Sequence, residues 1–98
     1  MLDLIIPVYN NREGLMRSLM SLGLETEGLY VTIVDDCSSV EYDDIIKMFI
    51  KAFPIQYFKL PVNSGPGVAR QWGLDHTDHD FVAFLDCGDT YTSPLILQ

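Results

Sequence analysis

Three short apolar runs in this chain each end in polar groups, and that repetition constrains the fold more than any other feature. Leu2-Asp3-Leu4-Ile5-Ile6 leads into Pro7-Val8-Tyr9-Asn10. Val31-Thr32-Ile33-Val34 leads into Asp35-Asp36, and Phe81-Val82-Ala83-Phe84-Leu85 leads into Asp86-Cys87-Gly88-Asp89. Short apolar runs bounded by turn residues read as buried strands. Carboxylates at the end of a buried strand cost free energy unless they bind something, most often a metal ion. Three strands with polar ends point to one shared site, suited to a nucleotide and a metal.

Helix signals fill the gaps. Residues 2–6 read as the first strand, and Asn10 is expected to cap a helix with Glu13 reaching back. Leu15, Leu19 and Leu22 recur at helical spacing, with Gly23 as a stop. Residues 30–34 read as the second strand. Ser38-Ser39-Val40-Glu41 matches a capping box, opening a helix with Ile45, Ile46, Phe49, Ile50 and Phe53 on one face until Pro54. Residues 55–60 read as the third strand. Asn63-Ser64-Gly65-Pro66-Gly67 is a turn opening a third helix, with Val68, Ala69, Trp72 and Leu74 as its apolar side. Residues 81–85 read as the fourth strand. The pattern is β-α-β-α-β-α-β, an α/β fold with a parallel sheet and helices on both faces. In such sheets ligands bind outside the carboxyl ends of the strands. The loop carrying His76, Asp78 and His79 falls at the other edge, which argues against a metal role for it.

Charge and cysteine usage narrow the partners. Fourteen acidic residues against 6 basic ones leave a net charge of −8, which disfavours nucleic acid and anionic membranes. A phosphate ligand then needs a cation, an Arg or backbone N–H groups. Cys37 and Cys87 each sit beside an acidic cluster, where a small residue suits a tight turn; two cysteines do not make a disulfide scaffold. The apolar start lacks a basic leader. No apolar run approaches the ~20 residues of a membrane span. The segment reads as cytoplasmic, with membrane association left to a longer chain. The fourth strand is expected to leave a bare sheet edge, which invites self-association.

Four segments carry a family resemblance. They are Leu4-Ile5-Ile6-Pro7-Val8-Tyr9-Asn10, Ile33-Val34-Asp35-Asp36-Cys37-Ser38-Ser39, Asn63-Ser64-Gly65-Pro66-Gly67-Val68-Ala69-Arg70-Gln71 and Phe84-Leu85-Asp86-Cys87-Gly88-Asp89. In that order and spacing the chain resembles the nucleotide-binding half of the family 2 glycosyltransferases, which have the GT-A fold. The resemblance implies that residues 1–98 form the Rossmann-like first half of such a domain, stopping before the acceptor-binding half. It implies that Tyr9 packs on the nucleotide base while Pro7 fixes the turn. One of Asp35 and Asp36 is implied to accept a base N–H, as an ionised carboxylate can, and a helix-capping role is the other reading. Arg70 is implied to contact the diphosphate, against the plain alternative of a surface ion pair. Asp86 and Asp89 match the first and last acids of the family's Asp-x-Asp motif, usually seen as Asp-x-Asp-Asp, with Gly88 where the middle acid usually stands. They are implied to hold Mg²⁺ or Mn²⁺ on the diphosphate. Asn63 and Gly65 are expected to shape the turn.

The implied reaction transfers a sugar from a nucleotide sugar, with uridine favoured by family habit, to an acceptor hydroxyl with inversion. The general base and the acceptor site belong to the family's second half. The isolated segment is therefore expected to bind donor and not to turn over. The rival reading is a non-catalytic nucleotide- or metal-binding module. A phospho-acceptor signalling domain is disfavoured, because its acidic pair should follow the first strand, where this chain has Pro7-Val8-Tyr9.

Overall fold

Every residue of β1 (Leu2–Val8) is buried, because this strand lies inside the sheet with packing on both faces. The computed structural model describes residues 2–22, 28–77 and 81–88. After β1 come α1 (Arg12–Leu22), β2 (Leu29–Asp35), α2 (Asp43–Phe49), β3 (Ile55–Lys59), α3 (Pro66–Asp75) and β4 (Phe81–Phe84). The strand order is β3-β2-β1-β4, and all three pairings are parallel. Leu2 lies opposite Leu29 on one side and Phe81 on the other. The α/β alternation read from the sequence is therefore the fold observed.

Strand side chains alternate between faces with period two. Leu2, Leu4, Ile6 and Val8 point into a core with Leu15, Leu19 and Leu22 of α1 and Ile45 of α2. Each fully buried leucine there contributes about 1.5–3 kcal/mol. Ile5 and Val34 point the other way, into a smaller core with Leu60 and Ala69 of α3, against which Trp72 packs. Helices thus cover both faces. No helix among the described residues is long and apolar enough to cross a membrane.

Several local expectations are corrected. Asn10 does not cap α1. Asn11 does, its Oδ1 accepting the Gly14 N–H at 2.9 Å, while Asn10 takes a positive φ of 46°. The Ser38–Glu41 motif opens no helix; α2 begins at Asp43, and Tyr42 at its N-cap makes no side-chain capping bond. Ile50 lies past the end of that helix and is exposed. The inward side of α3 is Ala69 and Gly73 with Trp72, whereas Val68 and Leu74 are exposed. A Cβ on Gly73 would lie 2.8 Å from Ile5 Cγ2, so close approach of helix and sheet selects small residues over large apolar ones. β4 is an edge strand among the described residues, and Phe81 and Phe84 are exposed rather than buried. Gly23, Asp78 and His79 lie outside the described residues.

Candidate functional site

The loop after β1 and the turn after β3 flank an open cleft of about 290 Å³ at the carboxyl end of the sheet. Pro7, Val8 and Tyr9 line one side, Asn63, Gly65 and Pro66 the other, and Asp36 lies between them. Tyr9 is 51% exposed, so an aromatic face is open to a ligand. A larger groove on the α1–α2 side is lined by Arg12, Glu13, Met16, Arg17, Met20 and Ile45. It contains neither the acidic pair nor Tyr9.

The two adjacent acids have different jobs, set by the alternation of side chains. Asp36 follows the strand and turns toward the cleft. Its Oδ1 accepts the Ser64 N–H at 2.7 Å, and its Oδ2 accepts the Gly65 N–H at 2.8 Å and Asn63 Nδ2 at 3.2 Å. A carboxylate there also favours the positive end of α3, whose N-cap Gly65 has no capping side chain. Asp35 shares the side of Val31 and Ile33 and is fully buried. Its Oδ1 accepts the Ser38 N–H at 2.8 Å, and its Oδ2 accepts the Tyr57 hydroxyl. Burial, and then that contact with Asp35, pushes the Tyr57 phenol far above its ordinary value. Asp35 does not line the cleft, so the structure separates the pair that the sequence leaves equivalent. Neither acid caps α2.

The Tyr9 loop is pinned from below. Ser38 Oγ accepts the Asn10 N–H at 2.8 Å, and the Tyr42 hydroxyl accepts the Asn11 N–H at 3.2 Å. Asn10 Oδ1 accepts the Ser39 N–H at 2.8 Å.

Arg70 and Asp86 come together as an ion pair at 2.6 Å. The pairing brings the expected phosphate ligand and the expected metal ligand to one place on the α3–β4 side. Arg70 still has further donors in its planar fork. The Asp86 side chain is 60% exposed, so the expected burial of this carboxylate does not hold. Exposure removes the desolvation argument for a ligand but leaves the carboxylate accessible. Gly88 has a φ of 100°, a conformation that disfavours the acid usual in the motif. Its N–H donates to Ser18 Oγ of α1 at 3.0 Å, holding the acidic turn against that helix. Asp89 lies outside the described residues, and among the described residues no group of three or more His, Cys, Asp or Glu comes together around a metal position. Among the described residues Asp86 supplies one exposed carboxylate, a hard oxygen donor of the type Mg²⁺ and Mn²⁺ take alongside phosphate and water. Both cysteines are free thiols. Burial pushes Cys87 up to about 11. His76 ends α3 and stacks on Trp72, with ring centroids 3.5 Å apart, which is a packing role.

Sequence reasoning missed Ser38, Tyr42 and Tyr57, all of which act through hydrogen bonds between distant segments. It read Asn63 and Gly65 as turn formers, and they are that, yet they also wall the cleft. A Gly-Pro dipeptide opening a helix at a strand's carboxyl end was the available signal for that wall.

The comparisons with known proteins agree with this geometry. The family model described as glycosyl transferase family 2 matches residues 3–97. The pre-mycofactocin glycosyltransferase of Mycobacterium tuberculosis is 43% identical over 84 residues, which cover 84% of this chain and 16% of that protein. The Staphylococcus aureus TarS structure in complex with UDP-GlcNAc superposes with a TM-score of 0.81 at 29% identity, covering 91% of this chain and 27% of that one. A mannosyltransferase from Pyrobaculum calidifontis, in complex with GDP-Man and Mn²⁺, shares the fold at a TM-score of 0.78 and 16% identity, covering 94% of this chain and 28% of that one. The chain belongs to glycosyl transferase family 2, and its sheet is the Rossmann-like α/β arrangement of GT-A glycosyltransferases. It spans 13% and 16% of the length of the first curated relatives it matches.

Proposed function

We propose that this chain is the donor-binding part of an inverting glycosyltransferase that moves a sugar from a uridine diphosphate carrier to an acceptor hydroxyl, on a saccharide in the simplest case. The observation that carries the reading is the cleft bounded by Tyr9, Asp36 and the Asn63–Pro66 turn at the carboxyl ends of the strands. In this reading the base stacks on Tyr9, and Pro7 sets the angle at which the loop leaves β1. Asp36 has its two oxygens turned to backbone donors on the α3 side and accepts the base N–H with remaining lone-pair capacity. Asp35 acts indirectly, by fixing Ser38.

In this reading Arg70 and Asp86, paired with each other outside the cleft lining, meet the diphosphate. The guanidinium suits phosphate oxygens in shape and charge. Asp86 and Asp89 would hold Mg²⁺ or Mn²⁺, which when bound supplies charge neutralisation on the departing nucleoside diphosphate. No residue described here is assigned as the base that deprotonates the acceptor, since such a group must sit within hydrogen-bond reach of the attacking hydroxyl. The chain alone binds donor without turnover.

The test is a titration of the chain with uridine, guanosine, adenosine and cytidine diphosphates, with and without Mn²⁺, followed by amide NMR. Selective, Mn²⁺-strengthened binding of uridine diphosphate, with shifts at Tyr9, Asp36 and Gly65, supports the reading. Metal-independent binding would favour a non-catalytic nucleotide module. A folded chain that binds none of the four overturns the donor-site assignment.

A further inference from the structure

Tyr9 follows the last residue of β1, on a short loop between that strand and α1. The backbone N–H groups that follow it are held by two side chains from the next β-α connection. Ser38 Oγ accepts from Asn10, the Tyr42 hydroxyl accepts from Asn11, and the two hydroxyls bond each other at 2.8 Å. The contact is reciprocal, because Asn10 Oδ1 accepts from the Ser39 backbone at 2.8 Å and from Ser39 Oγ at 3.2 Å. Ser38 is itself held by its own N–H on Asp35. Ser38 and Tyr42 are 2% and 1% exposed, and neither lines the cleft. The clasp holds Asn10 in the left-handed region, which few non-glycine residues occupy.

We infer that Ser38 and Tyr42 are positioning residues for nucleotide binding, acting through the height and tilt of the Tyr9 ring. The inference depends on the cleft being the nucleotide site proposed above. A stacking platform contributes to affinity only if its ring is already in place, since ordering a loop on binding is subtracted from the affinity gained. The Tyr9 loop obtains that order from hydroxyls under it. The clasp also ties the loop bearing Tyr9 to the loop that follows Asp36, so stack and acceptor keep a fixed separation.

A double-mutant cycle on the full chain separates this from simple fold stabilisation. Uridine diphosphate affinity is measured by calorimetry for the parent, Tyr42→Phe, Tyr9→Ala and the double variant. Tyr42→Phe is expected to weaken binding by about three- to tenfold, the scale of one hydrogen bond. In the Tyr9→Ala background its effect should vanish, because the residue it positions is gone. Amide exchange should quicken at Asn10 and Asn11 and stay unchanged at Ser64 and Gly65. Ser38→Ala provides a second cycle if Tyr42→Phe does not fold. Equal weakening with and without the Tyr9 ring, or no weakening at all, overturns the inference while leaving the donor site standing. A parent chain that binds no nucleoside diphosphate overturns the donor site first and this inference with it.

Discussion

Asp36 Oδ2 accepts the Gly65 backbone N–H at 2.8 Å, joining the end of β2 to the first turn of α3 across the cleft. The same carboxylate holds Ser64 at 2.7 Å. One ionised side chain therefore fixes one wall of the cleft and faces its interior.

Asp36→Asn should damage both roles. The amide keeps one acceptor and turns an NH₂ toward a backbone donor, so a part-buried N–H loses its partner at a cost of about 1–3 kcal/mol. The urea midpoint is expected to fall with an unchanged slope, and uridine diphosphate affinity to fall with it. A midpoint equal to the parent's would contradict the structural role.

Tyr57→Phe tests the neighbouring acid. Removing the hydroxyl takes one partner from the buried Asp35 carboxylate, at about 1–3 kcal/mol near neutral pH. The folded phenol titrates above its ordinary value of 10.0, so its stabilisation is complete below pH 10 and declines as pH rises beyond it. Stability of the parent should therefore fall more steeply than that of Tyr57→Phe above pH 10. Urea unfolding at pH 8 and at pH 11 measures the difference.

Gly73→Ala sets two effects against each other. Alanine favours a helix interior over glycine by about 1 kcal/mol. Its Cβ, however, would meet Ile5 Cγ2 at 2.8 Å and Val34 Cγ2 at 3.2 Å, and overpacking of that kind costs about 1–3 kcal/mol. Net destabilisation is the expected outcome, read as a lower thermal midpoint. A higher midpoint would mean that α3 slides away from the sheet at little cost.

Asp44 offers a titration without a fold change. Its carboxylate pairs with Arg12 at 2.6 Å, and that hydrogen bond lowers it from 3.8 to about 2. Because the folded value is depressed, the pair's contribution is complete above about pH 4 and is lost as pH falls through about 2. Both side chains are exposed, so the effect on stability is small and screened by salt. Carboxyl carbon-13 NMR should place the Asp44 midpoint near 2, moving to about 3.8 in Arg12→Met.

The strands were legible because each is an apolar run closed by turn residues, and β1 to β4 fall within two residues of their expected bounds. The cleft's position followed from that order alone. Helix starts were less legible. Ser38 and Asn10 have the chemistry of caps, but both are engaged by residues about thirty positions away, which no local pattern records. Val68 and Leu74 looked like the inward side of α3 because they are large and apolar; contact with Ile5 and Val34 instead requires the small Ala69 and Gly73. Which acid of the pair turns to the cleft was settled by where β2 ends, a detail of register.

The strand order also sets when this molecule can become itself. β1 pairs with β2 soon after it is made but meets β4 only after Phe81 has been added, so its second flank stays open while α2, β3 and α3 are being made. Closing so long a loop is slow, and ordering β1 on both sides is a late event. Nascent chains halted before Phe81 should therefore carry a half-zipped central strand, the state in which a chaperone or a neighbouring nascent chain would find it.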